Sequence, residues 1–419
     1  MPLSTFDYQP RTRLVFGAST VDRVGELARE LGGKRVLLVT DPGIMAAGHA
    51  AHVQKKLEAA GMRVTVFNKA RENPTTKCVD ACVAVAKSAG IDMIVGLGGG
   101  SSMDTAKGCN FILTNGGRMQ DYWGVGKATK PMLPLIAIPT TAGTGSECQS
   151  AALIADEKTH QKMACLDPKA AARIAILDPK LTLSQPPRVA ACTGIDAIAH
   201  AVETAVTKKR NSLSLMFSRE AFKLCIRAFP EVMQNPGDLE ARGRMQLGAA
   251  YAGLAIENSM LGAAHAAANP LTAHFDLVHG GAVGMMLPHV VRFNGDHPAT
   301  RAAYVELALA AGIPSAGDAP NDALQALVAQ LENALRLAAL PHSLEECGIQ
   351  KSAIPMLAGE AAGQWTANFN PRPVSRDDFV ALYSAASALG ADPRGTSSRD
   401  PASNRPVPKK KGAAVQRPR

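Results

Sequence analysis

The sequence predicts a mainly parallel α/β unit followed by an all-helical unit, and three observations carry that prediction. Up to Leu183, short β-branched runs alternate with helical stretches. From Pro187 to about Ala388, almost every segment is Ala- and Leu-rich at helical spacing, with no convincing strand. Between them SQPPR, 184–188, interrupts both patterns with two prolines. The expected division is 1–184, 185–389 and a basic, Pro-rich tail, 390–419.

In chain order, RVLLVTD at 35–41 reads as a buried strand ending in a turn. VQKKLEAAGM, 53–62, reads as a helix stopped at Gly61, and RVTVF, 63–67, as the next strand. A helix through VDACVAVAKSAG leads into MIVGLGGGSS, a strand and glycine loop, and MDTAKGCNFIL continues as helix. PLIAIPTTAGTGSE repeats the strand-then-loop pattern. A β-α-β-α order needs crossover connections, which give a parallel sheet covered by helices on both faces. The second unit is carried by segments such as SREAFKLCIRAF and DALQALVAQLENALRLA. Beyond Leu389 large apolar residues almost vanish, and disorder is expected.

Composition narrows the function class. A 419-residue chain with 46% hydrophobic and 19% charged residues is an ordinary globular protein with room for two cores. MPLSTFDYQPRTR lacks the apolar core of a secretory signal, and no apolar run approaches the roughly 18 residues of a membrane helix. A cytoplasmic chain without a membrane partner is expected. Of the eight cysteines only Cys78 and Cys82 are close, four apart on one helix face, so reduced buried thiols are expected. The net charge of +9 is misleading, because eight Lys or Arg and two Asp lie from Gly390 onwards. Six of the nine net positive charges are therefore in the tail, and the nearly neutral body calls for no nucleic acid. The tail also lacks aromatic residues to stack on single strands, so it reads as a solvated terminus.

GLGGGSSMDTAK, 96–107, follows a strand and opens a helix, where glycines admit a ligand to the backbone and free N–H groups suit phosphate. By itself it is equally a tight strand–helix turn, and it matches neither GxGxxG nor a phosphate-binding P-loop. PTTAGTGSE, 139–147, adds a second loop at the carboxyl edge of the same sheet. Together they suit a pyrophosphate, with Ser101, Thr140, Thr141 and Thr144 as hydroxyl donors. Asp41 ends the first apolar strand. Its carboxylate suits ribose hydroxyls and repels a 2′-phosphate, while Asp41-Pro42-Gly43 is also good turn chemistry, and both roles are expected.

Asp196 and His200 in GIDAIAHAVE are one helical turn apart on one face. His265 and His279 follow among small residues that leave space around their rings. Three imidazoles and a carboxylate suit one divalent metal with a position left open for catalysis. On spacing alone His274 replaces His279 equally well, and a lone histidine in an Ala-rich helix is more often packed than ligating.

GGGSSMDTAK, PTTAGTGSE, GIDAIAHAVE and HAAANPLTAHFDLVHG, in this order, make the sequence resemble the iron-containing (group III) alcohol dehydrogenases over about residues 8–389. The resemblance implies an N-terminal Rossmann-like domain, an all-α C-terminal domain, and an active site in the cleft between them, the architecture shared with dehydroquinate synthase. It implies Asp196, His200, His265 and His279 as ligands of Fe²⁺, favouring His279 over His274, and such donors also suit Zn²⁺. It implies NAD rather than NADP, held by Asp41, Asn73, Gly98, Gly99, Gly100, Ser101, Asp104, Thr140, Thr141, Thr144, Lys162 and Leu181. The reaction implied is hydride transfer between a small primary alcohol and nicotinamide, with aldehyde reduction as the reverse. A homodimer or larger homo-oligomer is implied too.

One position departs from that family. HAAANP places Asn269 where many members carry a histidine with a proton-relay role, and an amide cannot titrate. Rival readings are a polyol or polyol-phosphate dehydrogenase, a maleylacetate reductase, a dehydroquinate synthase-like lyase, or a non-catalytic nucleotide-binding scaffold. Phosphorylated substrates call for cationic side chains, yet no Lys or Arg lies between Ala190 and Thr207 or between Tyr251 and Arg292. A complete ligand set argues against the scaffold. Trp365 and Phe369 in QWTANFNPRP are the aromatic candidates for the substrate wall.

Overall fold

The computed structural model describes residues 5–159, 161–317 and 319–387. The β-branched runs form strands β1 (Arg13–Phe16), β2 (Arg35–Val39), β3 (Arg63–Phe67), β4 (Met93–Gly98), β5 (Gly124–Val125), β6 (Leu135–Pro139), β7 (Ala151–Ala155), β8 (Lys162–Leu166) and β9 (Ile174–Leu177). Six of them make one sheet in the order β1-β9-β6-β4-β2-β3, parallel at every pairing. β4 and β6 are buried at every residue, which is why they read as continuous apolar runs instead of alternating ones.

The helices between them are α1 (Val24–Glu30), α2 (Pro42–Ala46), α3 (His49–Ala59), α4 (Thr76–Ala89) and α5 (Gly100–Asn115). Val24 and Leu27 of α1 and Val53 and Leu57 of α3 cover one face of the sheet. Val79 and Cys82 of α4 and Met103 and Ala106 of α5 cover the other. The expected doubly covered parallel sheet is borne out.

The sequence reading missed β1, β9 and a second sheet, β5-β8-β7, whose β7–β8 pair is antiparallel. β7 is AALIA and β8 KMACL, and Ala and Lys have little intrinsic strand preference. Lys107 ties this sheet to α5. Its ammonium is buried and donates to the carbonyls of Ser146 (2.6 Å), Gln149 (2.7 Å) and Ala151 (3.0 Å). Burial lowers its pKa, and the carbonyl oxygens replace the water it has lost.

After β9 the described residues contain no strand. The helices begin with α6 (Pro187–Thr204), α7 (Ser212–Gln234), α8 (Leu239–Glu257), α9 (Ala263–Phe275) and α10 (His279–Gly295), and four more follow between Pro298 and Ala385. α6 is the axis of this unit, with Ile195, Ala197, Ile198, Ala199, Ala201 and Val202 all buried in its core. The loop after β6 rests on α8 so closely that a Cβ on Gly253 would lie 2.4 Å from the Gly145 carbonyl oxygen. No helix among the described residues is long and apolar enough to cross a membrane. The eight cysteines are free thiols, seven of them buried, as expected of Cys78 and Cys82. The basic tail expected from residue 390 lies outside the described residues.

Candidate metal centre

α6 carries Asp196 and His200 on one face, and both are buried, at 4% and 5% exposure. His265 is the third residue of α9, and His279 is the first of α10. Between them Asp276 adopts a left-handed conformation (φ 51°) that ends α9 and allows α10 to return. Gly280 then sets the approach: a Cβ there would lie 2.0 Å from the Cys192 carbonyl oxygen of α6. Only a residue without a side chain lets the start of α10 come this near α6.

The convergence centres on one oxygen. Asp196 Oδ1 lies 3.5 Å from His200 Nε2, 3.5 Å from His265 Nε2 and 3.9 Å from His279 Nε2. Two ligand atoms, each ~2.1 Å from one ion at a tetrahedral angle, are roughly 3.4 Å apart, so these spacings suit a shared ion. Asp196, His265 and His279 each offer a ligand atom within 4.8 Å of the others. His200 stands beside that trio, its ring stacked on His265 at 4.8 Å between centroids. Asp196 Oδ1, His265 Nε2, His200 Nδ1 and His279 Nδ1 are buried without a hydrogen-bond partner. Leaving such atoms unpaired costs about 1–3 kcal/mol each, and a cation is the group that would satisfy Asp196 Oδ1 and His265 Nε2 together.

The electrostatics fit a cation as well. Burial opposes ionisation of Asp196, but His200, His265 and His279 overcome it and hold the carboxyl well below its usual range. Burial keeps His200 below its ordinary value. Burial, aided by the Lys162 cation, pushes His279 down to about 3, against the pull of Asp196. Burial also disfavours the His265 cation, yet Glu203 and Asp196 raise that imidazole to about 9. His274 is elsewhere, paired with Glu360 at 2.8 Å on the surface.

The two glycine loops meet at the carboxyl ends of β4 and β6. Thr140 N–H donates to the Gly98 carbonyl at 3.0 Å. A Cβ on Gly100 would lie 2.8 Å from Thr144 Cγ2, so the glycine is what permits the loops to touch. Gly98 has φ 143°, and a Cβ there would lie 2.5 Å from Ser102 Oγ. Gly99 begins α5 with no side-chain cap, and first-turn N–H groups have no intrahelical acceptor. Ser101, Asp104, Thr141 and Thr144 are half-buried along this edge. Ser146 Oγ donates to Asp104 at 3.2 Å, and burial raises Asp104 to about 6 against the pull of Lys107 and Lys162.

Asp41 performs its turn role, accepting the Ile44 N–H at 3.1 Å through Oδ1 and the Ser102 hydroxyl at 3.2 Å through Oδ2. Asn73, left-handed at φ 49°, is exposed after β3. Lys162 is exposed at the start of β8, and Leu181 is 4% exposed in the core beside β9. Asn269 donates to Gln364 Oε1 at 3.0 Å. Trp365 and Phe369 pack edge-on at 5.6 Å.

The sequence reading overlooked Glu203, a buried carboxylate in contact with His265 Nδ1. Its signal was present in GIDAIAHAVE, where residues 196, 200 and 203 recur at helical spacing on one face.

Residues 10–179 match the family described as iron-containing alcohol dehydrogenase, and residues 190–387 match its C-terminal part. The chain is 34% identical over 372 residues to an NAD-dependent methanol dehydrogenase of Bacillus methanolicus, covering 89% of this chain and 97% of the relative. It is 32% identical over 373 residues to a lactaldehyde reductase of Escherichia coli, covering 88% and 97%. Among solved structures, an alcohol dehydrogenase from Oenococcus oeni superposes with a TM-score of 0.88 at 30% identity, covering 91% of this chain and all of that one.

Proposed function

The chain belongs to the iron-containing alcohol dehydrogenase family, and on that premise we propose that it interconverts a small primary alcohol and its aldehyde, with NAD as hydride carrier. The observation that carries the reading is the ring of three imidazole nitrogens 3.5–3.9 Å from Asp196 Oδ1. Asp196, His200, His265 and His279 would hold Fe²⁺, and their donor set also accepts Zn²⁺. When bound, such an ion supplies Lewis acidity for the alcohol oxygen, and NAD supplies the hydride acceptor.

The chain's own groups do the rest. Asp196 stays ionised, and His200 and His279 stay neutral, so three donors are ready for a cation without first losing a proton. Gly98, Gly99, Gly100 and Ser101, with Thr140, Thr141 and Thr144 opposite, form the cradle we assign to the pyrophosphate. Lys162 adds a cation on the same side, and Asp41 keeps a lone pair on each oxygen for ribose hydroxyls. Asn73, Asp104 and Leu181 complete the cofactor set. In this division residues 1–184 hold the dinucleotide and 185–389 supply the metal ligands.

Substrate size follows from charge. The segments around the ligands have no Lys or Arg between Ala190 and Thr207 or between Tyr251 and Arg292, which favours an uncharged alcohol over a phosphorylated polyol. The methanol and lactaldehyde enzymes among the relatives support that scale. Asn269, tied to Gln364, carries no titrating proton, so we assign proton release to water, the cofactor ribose or another group. We read the protein as a cytoplasmic homodimer or larger homo-oligomer without a nucleic-acid partner.

The test is NAD⁺ reduction at alkaline pH across short alcohols and diols, using metal-free protein reconstituted anaerobically with Fe²⁺ or Zn²⁺. NADH formation that depends on the metal is the expected result. Silence across the panel with metal and NAD bound would overturn the substrate class. His265→Ala should abolish turnover and metal uptake while NAD still binds, and wild-type activity in that variant would remove the assignment.

A further inference from the structure

α6 presents two carboxylates and an imidazole that are buried, Asp196, His200 and Glu203. The third has two contacts, one per oxygen. Glu203 Oε1 accepts the Ala264 N–H at 2.7 Å, and Glu203 Oε2 meets His265 Nδ1. Both partners lie in the first turn of α9, which begins at Gly262 with no side-chain cap of its own. Its orphan N–H groups are satisfied from outside: Ala264 by Glu203, and Ala263 by Asn370 Oδ1 at 3.3 Å. A Cβ on Gly262 would lie 3.2 Å from both of those oxygens. One carboxylate thus fixes the helix that carries His265 and the ring itself.

We infer that Glu203 is a positioning residue that selects the tautomer of His265, holding a ring proton on Nδ1 so that Nε2, the nitrogen 3.5 Å from Asp196 Oδ1, is the one left to the metal. The inference rests on the reading of Asp196, His265 and His279 as metal ligands. The chemistry is direct. A ligating imidazole nitrogen must be unprotonated, and which nitrogen is free is set by the hydrogen bond at the other. Ionised, Glu203 is acceptor-only, so Nδ1 must donate to it. Its negative charge is also favoured at a helix N-terminus.

A capping role alone makes a different prediction, and substitution separates the two. Glu203→Gln keeps the side-chain shape and one acceptor. With its oxygen on Ala264 N–H, its amide faces Nδ1, which must then accept, and the ring proton moves to Nε2, where the metal would bind. Asn370→Ala removes the neighbouring cap and leaves the His265 contact untouched.

The experiment is Zn²⁺ titration of the metal-stripped full chain against a chromophoric chelator, with the visible spectrum of the Co²⁺ form as a second readout. Glu203→Gln should weaken Zn²⁺ binding about 10–100-fold and alter the Co²⁺ spectrum. Asn370→Ala should lower the melting temperature while binding Zn²⁺ like the parent. Parent-like affinity and spectrum in Glu203→Gln would overturn the inference, as would an equal loss of affinity in Asn370→Ala. If Glu203→Gln does not fold, Glu203→Asp, which draws the carboxylate back by one methylene, decides on the same criterion: weakened binding supports the role and parent-like binding overturns it. A parent that takes up no Zn²⁺ overturns the metal reading and this inference with it, whereas a tight parent and an equally tight Glu203→Gln overturn this inference alone.

Discussion

Asp41 makes a turn and, in the function proposed above, would also face the cofactor ribose. Oδ1 caps α2 through Ile44 and Oδ2 takes the Ser102 hydroxyl, so the carboxylate is already oriented at the loop that follows β4. A 2′-phosphate brought beside it would meet like charge. Asp41→Gly should raise the NADP-to-NAD ratio of kcat/KM about tenfold, equivalent to ~1.4 kcal/mol of repulsion removed. An unchanged ratio would mean that Asp41 only builds the turn. Residues of this kind were legible where local spacing governs them. Asp196 and His200 are readable because a helix repeats every 3.6 residues. The meeting of His265 with His279 is not, because it depends on the left-handed Asp276 and on Gly280 lying against Cys192, features of tertiary contact. On spacing alone His274 is consequently the equal of His279, and the structure pairs it with Glu360 on the surface.

Among elements, legibility followed the local run of β-branched and apolar residues, not burial, since β3 was readable with one buried residue and β9 was not with four. β2, β3, β4 and β6 stood out because their runs are long and rich in Val, Ile and Leu. β1 and β9 have four residues each, too few for a period to appear, and both are defined by pairing with distant partners. The seam between the loop after β6 and α8 offers a test of contact against propensity. Within a helix, Gly→Ala ordinarily gains about 1 kcal/mol. At Gly253 the added Cβ would stand 2.4 Å from the Gly145 carbonyl oxygen, and overpacking of that kind costs roughly 1–3 kcal/mol. Gly253→Ala should therefore lower the melting temperature. A rise, measured by calorimetry, would show that the seam yields at little cost.

For the molecule as a whole, buried charge sets a dependence on pH. Glu147 is 3% exposed, and burial pushes its carboxyl from 4.5 up to about 7, against the pull of Lys107. A carboxyl whose pKa is raised by folding contributes no penalty below 4.5, where it is protonated in both states. Stability is then lost as pH rises from about 4.5, and the loss is complete once pH has passed the folded value of about 7. The loss amounts to roughly 3 kcal/mol above that pH. Glu147→Gln should match the parent below about pH 4.5, exceed it progressively up to about pH 7 and keep a constant advantage above that, read as unfolding free energy in urea. Parallel curves would show that Glu147 keeps its charge solvated.

The stitch made by Lys107 also bears on how the chain is born. Its acceptors include the backbone oxygens of Ser146, Gln149 and Ala151, and among the described residues β1 has no sheet neighbour other than β9. A nascent chain released to about residue 140 would hold an ammonium in its apolar interior with none of those acceptors yet made. Its first strand would also wait for Ile174–Leu177 to leave the ribosome. The six-stranded sheet is therefore complete only after Leu177, when nearly half the chain is out, and until then its open strand edges are exposed to association.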